Sequence, residues 1–544
     1  MVTKLRVVPK PATPDDQPSE SEKLDSQGVF CALKGDLDGA LEVFQKAFEI
    51  REANYLADSS LENLKDISVS CNRLAEVSQE MGQLIKAFHF YSKSLKIDET
   101  LVQKNPSLQN RRDVAADWLK LSDLFKAMGK LEKAAKACRI AIQMAKALVN
   151  EAPICQNRQS LVEGYLRAVD ILAEQGQPQK AAKFCAAAIQ ISEHLIREDP
   201  TPDNRYRMHL LLGRMGDVLQ ENSEFEEAEK YYHKAAKVLF GLSEEYNPYQ
   251  LLRDLAVIFS RLSDVNRKQG KLEKAANYCL EANKFKIKRA QEIPTLENRR
   301  DLAIGWKRMA GLVELQGNHE MALKYYQKSL NIATTLVRES PTLLHQRDLS
   351  ALYLLLGRTL CDQGNFKNAL PLHHKGLNIV EHIVREAPTP QNRFGIYLAH
   401  ESLGMTCVGL HNFDQTLAHF KSGLEVLEAL IREFPDFKYI NRYSGMLAMT
   451  AKALSKHVSP EAAQAFHNKS LVICKLNPKD PGILASPNAD DLNLILSKTR
   501  LSATALKPDL PPVVLEPHKE AQKYASIFAS WKGVVTTALD KTEN

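Results

Sequence analysis

The chain has 544 residues, with 72 Lys and Arg against 66 Asp and Glu, a net charge of +6, 25% charged residues and 44% apolar ones. That balance is ordinary for a folded soluble protein and excludes a wholly disordered one, and the positive excess is too weak to demand a nucleic acid or an anionic membrane. The longest stretch without a charged side chain, 402–413, is shorter than the about 18–20 residues a membrane span needs. The N-terminus carries no apolar signal core, and the nine cysteines show neither Cys-x-x-Cys nor zinc spacing. A cytoplasmic location is expected.

Residues 1–20 are rich in Pro, Asp and Ser and are expected to be disordered. A repeat array is expected over 21–476, opening with a hairpin at 21–54 whose first helix is short. The unit is clearest at Asn110–Pro153, where Val114, Trp118, Leu121, Ser122 and Phe125 fall three and four apart, as on one helical face. Beyond Gly129 the pattern resumes with Leu131, Ala134, Ala135, Cys138, Ala141, Ile142, Ala145 and Leu148. Gly129 stands where two helices must reverse, because glycine takes positive φ cheaply. The unit is a helical hairpin.

The hairpin recurs every 47 residues: Gly35, Gly82, Gly129, Gly176, Ser223, Gly270, Gly317, Gly364, His411 and Val458 mark the turns. Five residues past each turn stand Ala40, Ala87, Ala134, Ala181, Ala228, Ala275, Ala322, Ala369, Thr416 and Ala463. Small residues also fill the columns twelve past the turn (Ala47 to Ser470) and seven before it (Gly28 to Ala451). Such columns let helices approach closely, and a larger residue there would overpack by about 1–3 kcal/mol. Repeats starting at Pro106-Ser107, Pro294-Thr295, Pro341-Thr342 and Pro435-Asp436 place a capping oxygen at the helix start. Helices of about 18–20 residues follow, near 30 Å long at about 1.5 Å per residue. The fold class is an all-α solenoid of ten helix-turn-helix repeats.

Trp118, Leu121-Ser122, Phe125, Gly129, Leu131, Ala134, Ala141 and Ile142, together with Trp306, Met309-Ala310, Gly317, Ala322, Tyr326 and Ser329-Leu330, resemble the tetratricopeptide repeat. The resemblance covers roughly residues 23–476. It implies a right-handed superhelix whose first helices line an inner groove that takes a peptide. The repeat departs from the family's length of about 34 residues, because the second helix here runs on by several turns.

Beyond 476 the register ends. Residues 477–506 read as a linker and a capping helix with Leu492, Ile495 and Leu496 covering the last hairpin. Residues 507–517 form a Pro-rich linker, and 518–544 an amphipathic helix with Tyr524, Ile527, Phe528, Trp531, Val534 and Val535 on one side. That helix either packs back on the array or serves as a free docking or oligomerising element.

Chemistry is not evident. The sequence has no dinucleotide-binding glycine loop, Walker loop, nucleophile elbow or His-Glu-x-x-His. Histidines thicken between His345 and His419, but His373 and His400 fall in core columns and His411 in a turn column, so no metal is expected. No catalytic residue, cofactor or small-molecule substrate is assigned. Cys138, Cys185 and Cys279 share a core column with Phe44, Tyr91, Tyr232, Tyr326 and Phe420.

Two charged columns on the first helices are the candidate functional feature. Basic residues nine before the turn (Arg73, Lys120, Arg167, Arg214, Arg261, Arg308) precede acids three further on (Glu76, Asp123, Asp170, Asp217, Asp264). Residues three apart share a face, so the ladder can pair within a repeat and reach the next. It breaks at Arg308, where Gly311 takes the acid's place. Arg358 then stands in the acidic column, with Leu355 in the basic one, followed by Ser402 with Met405 and Met449 with Lys452. With Lys307, this makes a positive and partly apolar face suited to an acidic or C-terminal carboxylate-bearing peptide with hydrophobic anchors.

Three functions follow as expectations. The first is a non-catalytic interaction scaffold or adaptor. The second is a regulatory or sensor subunit of a separate enzyme. The third, a nucleic-acid-binding repeat, is disfavoured by balanced groove charge and the lack of stacking aromatics in those columns.

Overall fold

The computed structural model describes residues 19–33, 36–242, 245–457, 460–473, 481–484 and 488–492. The expected N-terminal segment, the turn residues Gly35 and Val458, the Pro-rich linker, the C-terminal helix, and Ile495 and Leu496 lie outside them. Two compact units divide the chain at 383/384.

In the first unit the helices run α1 Glu20–Leu33, α2 Leu37–Ala57, α3 Leu61–Glu80, α4 Leu84–Lys104, α5 Leu108–Ala127, α6 Leu131–Glu151, α7 Cys155–Glu174 and α8 Pro178–Glu198. They continue as α9 Pro202–Glu221, α10 Phe225–Phe240, α11 Pro248–Lys268, α12 Leu272–Glu292, α13 Leu296–Leu315, α14 His319–Glu339, α15 Leu343–Asp362 and α16 Phe366–Glu386. The second unit holds α17 Pro390–Gly409, α18 Phe413–Glu433, α19 Phe437–His457, α20 Pro460–Ile473 and a 3-10 turn at Pro481–Leu484. Among the described residues no strand occurs. Within each unit every odd-numbered helix packs on the next as a hairpin and hairpins stack in sequence, as in an α-solenoid of tetratricopeptide-like repeats.

The period predicted from small residues reappears in backbone geometry. Gly82, Gly129, Gly176, Ser223, Gly270, Gly317, Gly364 and His411 all take φ between 58 and 80°. Ser223 and His411 hold this left-handed conformation without glycine's freedom, which costs roughly 1–2 kcal/mol each. Helix starts are capped as the Pro-Ser/Thr pattern implies: Ser60, Ser107, Thr201, Thr295, Thr342 and Thr389 each accept from the backbone N–H three residues on. The residue three past the cap position adds a second lock. Asn63, Asn110, Asn157, Asn204, Asn298 and Asn392 each donate Nδ2 to the carbonyl five residues back, fastening one hairpin's start to the end of the last.

The small columns are the buried seams. Ala40, Ala87, Ala134, Ala181, Ala228, Ala275, Ala322 and Ala369 are wholly inaccessible. Seven before the turn, the small residue meets the residue nine past the turn on its own hairpin. A Cβ on Gly28 would stand 2.5 Å from the Phe44 ring, on Gly216 2.4 Å from Tyr232, on Gly357 2.3 Å from His373 and on Gly404 2.3 Å from Phe420. Where the first position is larger, as Ser122, Val169 or Ser263, the second is Cys138, Cys185 or Cys279. A ring at the second position thus faces only glycine or alanine, as in Ala75 with Tyr91, and a larger first residue faces cysteine, as close packing favours. These three cysteines are therefore core fillers; burial pushes their thiols up to about 12, 12 and 11.

One helix departs from the pattern. α10 stops at Phe240 instead of running on to the proline, because Gly241 ends it and the chain turns so that Tyr246 stacks on Tyr206 with centroids 4.4 Å apart. Asn247 then caps α11 through Tyr249 and Gln250. Leu492, assigned to the cap, is fully buried in the core of the second unit with Ile483 and Ala489.

Gly404→Val should lower the thermal midpoint by the equivalent of about 1–3 kcal/mol through overpacking against Phe420. Gly445→Ala, on α19 with nothing near its Cβ, should raise it by up to about 1 kcal/mol. Burial holds His209 and His373 down to about 4, so both are neutral in the folded chain at neutral pH. The unfolded chain protonates them near 6.5, so stability is lost as pH falls from about 6.5 toward 4, by of order 3 kcal/mol per site. Thermal melts across that window should show the loss, and a His209→Gln, His373→Gln double variant should flatten it.

Candidate functional site

The first-helix charge columns form a ladder, and its rungs run between repeats. Arg167 Nε lies 3.3 Å from Asp123 Oδ2, Arg214 Nε 3.0 Å from Asp170 Oδ1 and Arg261 2.6 Å from Asp217 Oδ2. Each base reaches the acid of the preceding repeat, because the stacking offset brings columns nine and six before the turn side by side. A rung inside one repeat joins Arg214 to Asp217 at 3.7 Å. At the N-terminal end Arg73 meets Asp25 at 3.4 Å and Lys120 meets Asp117 at 3.4 Å.

The inter-repeat geometry corrects one expectation. Arg308 does not lack an acid: its guanidinium lies 3.3 Å from Asp264 Oδ2 and donates to the Ser260 carbonyl. The ladder ends one step later. Gly311 offers no carboxylate, and Arg358 instead reaches Glu314 at 3.0 Å while its side chain stays 57% exposed. Glu314 is 12% exposed and also accepts from the Thr359 hydroxyl at 2.5 Å and the Tyr326 hydroxyl at 3.3 Å. Lys307 forms no ion pair among the described residues and lines a small cleft with Arg300, Ile304 and Asp348. In the second unit, Met405 is 47% exposed, Met449 lies partly buried against that unit's core, and Lys452 is exposed.

Two features escape a reading keyed to small and charged columns. A second ladder runs along the same helices: Lys65 pairs with Asp113 at 3.1 Å, the Tyr206 hydroxyl donates to Asp254 at 2.6 Å and Arg300 pairs with Asp348 at 2.5 Å. Between the ladders, thirteen residues before the turn, runs a largely apolar seam, interrupted by Glu163. Val69, Leu210 and Val257 there are 37, 40 and 43% exposed, with Ala116 and Ile304 in the same column. That periodicity was available in the sequence, but only burial separates an exposed apolar column from a core one.

Among the described residues the histidines of the 345–419 stretch lie in different settings. His373 is buried with Nε2 3.2 Å from the Leu354 carbonyl, His411 forms a turn, and His400 and His419 face each other with ring nitrogens 3.1 Å apart. Among the described residues, ligand atoms of Glu314, His319 and Asp362 lie within 4.8 Å of one another. Glu314 is already engaged by Arg358, Thr359 and Tyr326, so a cation there would displace existing bonds. No helix among the described residues is long and apolar enough to cross a membrane.

No family model and no curated protein sequence matches the chain. Among solved structures it is similar to the apo form of RapI, at 12% identity over 72% of this chain and 98% of that one, with a TM-score of 0.45. It is also similar to a signal-transduction ATPase of the STAND class with a tetratricopeptide repeat sensor from Pyrococcus horikoshii, at 15% identity and TM-score 0.42. That match covers 69% of this chain and about half, 54%, of the other. BtubC from P. vanneervenii matches at 17% identity over 46% of this chain and 92% of its own, with a TM-score of 0.37.

The ladder's energetic weight can be read from a double-mutant cycle on Arg261 and Asp217. Both side chains are about a quarter exposed, so the coupling should not exceed about 1 kcal/mol and should shrink in high salt.

Proposed function

We propose that the chain is a non-catalytic interaction scaffold that receives an acidic segment of a partner protein along the face of α13 and α15. The reading rests chiefly on the end of the ladder. Up to Asp264 the bases Arg167, Arg214, Arg261 and Arg308 are each answered by an acid of the preceding repeat. At Lys307, Arg308 and Arg358 the bases outnumber the acids, since Gly311 stands where an acid would. Lys307 is without an ion-pair partner among the described residues, and Arg358 is more than half exposed. A carboxylate arriving from outside therefore gains a charge-assisted hydrogen bond without first breaking a buried pair.

Ile304 continues the apolar seam beside these bases, so the partner segment combines Asp, Glu or a free carboxylate with apolar side chains. The exposed seam at Val69, Leu210 and Val257 offers further contact of the same kind. Met405, Met449 and Lys452 present a second apolar and basic set on the second unit. The ladder residues Arg73, Lys120, Arg167, Arg214 and Arg261 with their acids are assigned to repeat stacking.

A peptide array probed with the purified chain should select sequences that join acidic and apolar residues. Lys307→Glu with Arg358→Glu should then lower affinity for a selected peptide at least about tenfold, with helical circular dichroism unchanged. Binding should weaken as salt rises. Selection of basic peptides, or affinity untouched by the double charge reversal, would remove the reading.

A further inference from the structure

The first unit carries a polar cleft far from these bases, between α3 and α5 with α4 beneath, of about 280 Å³. On its floor lie two carboxylates: Asp98 is 5% exposed and Asp117 1%. Neither belongs to the repeat pattern. At the position of Asp117 other repeats carry Ser70, Gly164, Leu211, Ile258, Gly305, Leu352 or Ala399, and at that of Asp98 they carry Arg51, Ala145, Ser192, Leu239, Lys286, Ala333, Val380 or Leu427. None of these repeats places an acid at either position. A buried charge at the neighbouring repeat's equivalent, Arg51, is matched, since it donates to Asp25 at 2.6 Å and Ser70 at 2.7 Å. The Asp98 and Asp117 pair has no such match. Asp117 accepts from the Ser94 hydroxyl at 3.0 Å and Asn72 Nδ2 at 3.2 Å, and the cation beside it is Lys120, held loosely at 3.4 Å.

A third acceptor faces the same cleft. Asn72 Oδ1 is buried and has no hydrogen-bond partner, which is costly for an amide oxygen. The other lysine and arginine of the lining are already paired, Lys65 with Asp113 at the cleft's own wall at 3.1 Å and Arg73 with Asp25 at 3.4 Å. Asp98 accepts from the Ser68 hydroxyl and is hydrogen-bonded to Asp117, so the two carboxyls share a proton where a cation could stand; with the unpartnered Asn72 oxygen they complement a group with three N–H bonds and a positive charge. Half-exposed Val69 and exposed Ala116 border the cleft and suit a methylene stem. We propose that this cleft receives the ammonium head of a lysine side chain on a partner polypeptide, held by Asp98, Asp117 and Asn72.

The site goes beyond the acidic-segment reading and shares no residue with it, so either can fail alone. Burial, and then the neighbouring Asp117 carboxylate, push the Asp98 carboxyl up to about 7. The titratable groups around Asp98 are Asp113, Asp117 and Lys120 on α5 and Lys65, Cys71, Arg73 and Glu76 on α3. In the free chain the pair holds a proton near neutrality, and an arriving ammonium expels it. Affinity thus rises with pH, about tenfold between pH 6 and pH 8.

The full chain is titrated with Nα-acetyl-lysine methylamide, following the Ala116 methyl resonance and the heat of binding in two buffers of different ionisation enthalpy. Support is a saturable Ala116 shift, proton release near pH 7 and tighter binding at pH 8 than at pH 6. Asp98→Asn and Asp117→Asn should each weaken binding at least about tenfold, and Lys120→Met should strengthen it by removing the internal competitor. Because the wild-type proton release needs no variant, a folding defect in either Asn variant leaves the test standing. The proposal is overturned by no shift at saturating lysine amide, by affinity that falls as pH rises, by tighter binding of the arginine amide, or by a response to spermidine without one to lysine amide.

Discussion

The constraint on which the structure depends is the volume shared by two side chains inside each hairpin. Seven residues before the turn and nine after it, the helices cross closely enough that a ring on one side leaves room for only glycine or alanine on the other. Gly28 with Phe44, Gly216 with Tyr232 and Gly404 with Phe420 mark one solution, and Val169 with Cys185 the other. Interiors pack at crystal-like density, so a bulky residue at both places would not fit. The inaccessible alanines five past each turn set the same distance a little further along. Hairpins built this way present nearly identical faces, and stacking follows.

Stacking decides the electrostatics. Once hairpins repeat at a constant offset, an arginine nine before the turn lies beside the acid of the previous repeat, and the ion pairs become a register mark between neighbours. Half-exposed pairs of this kind contribute little to stability each. Their larger consequence is to use up charge, leaving the face nearly neutral. Function is then sought where the pattern is disobeyed. At Gly311 and Arg358 the acids run out, and at Asp98 and Asp117 buried carboxylates occupy places where the other repeats carry no acid. The two departures have opposite sign and sit in different repeats of the same unit.

The period, the turn positions and the helix starts were legible in the residues because each depends on local chemistry. A positive φ favours glycine, a free N–H favours Ser or Thr, and a close crossing favours Ala. Ser223 and His411 were legible only from their neighbours, since their own types oppose the conformation they hold. The end of α10 at Phe240 was not legible: Gly241 and the Tyr206–Tyr246 stack act together, and the second involves residues forty apart.

The amino-acid sequence alone determined that the chain is a series of helical hairpins with a 47-residue period, because small residues, glycines and capping oxygens act over a few positions and repeat in phase. It also marked Lys307, Arg308 and Arg358 as the place where the charge columns change. Tertiary structure decided which acid answers each base, giving Asp264 to Arg308 and Glu314 to Arg358. It alone set Asp98 against Asp117 beneath an open cleft. Pairing and burial depend on the offset between stacked repeats, and that offset arises from contacts 20 to 50 residues apart that no local pattern encodes.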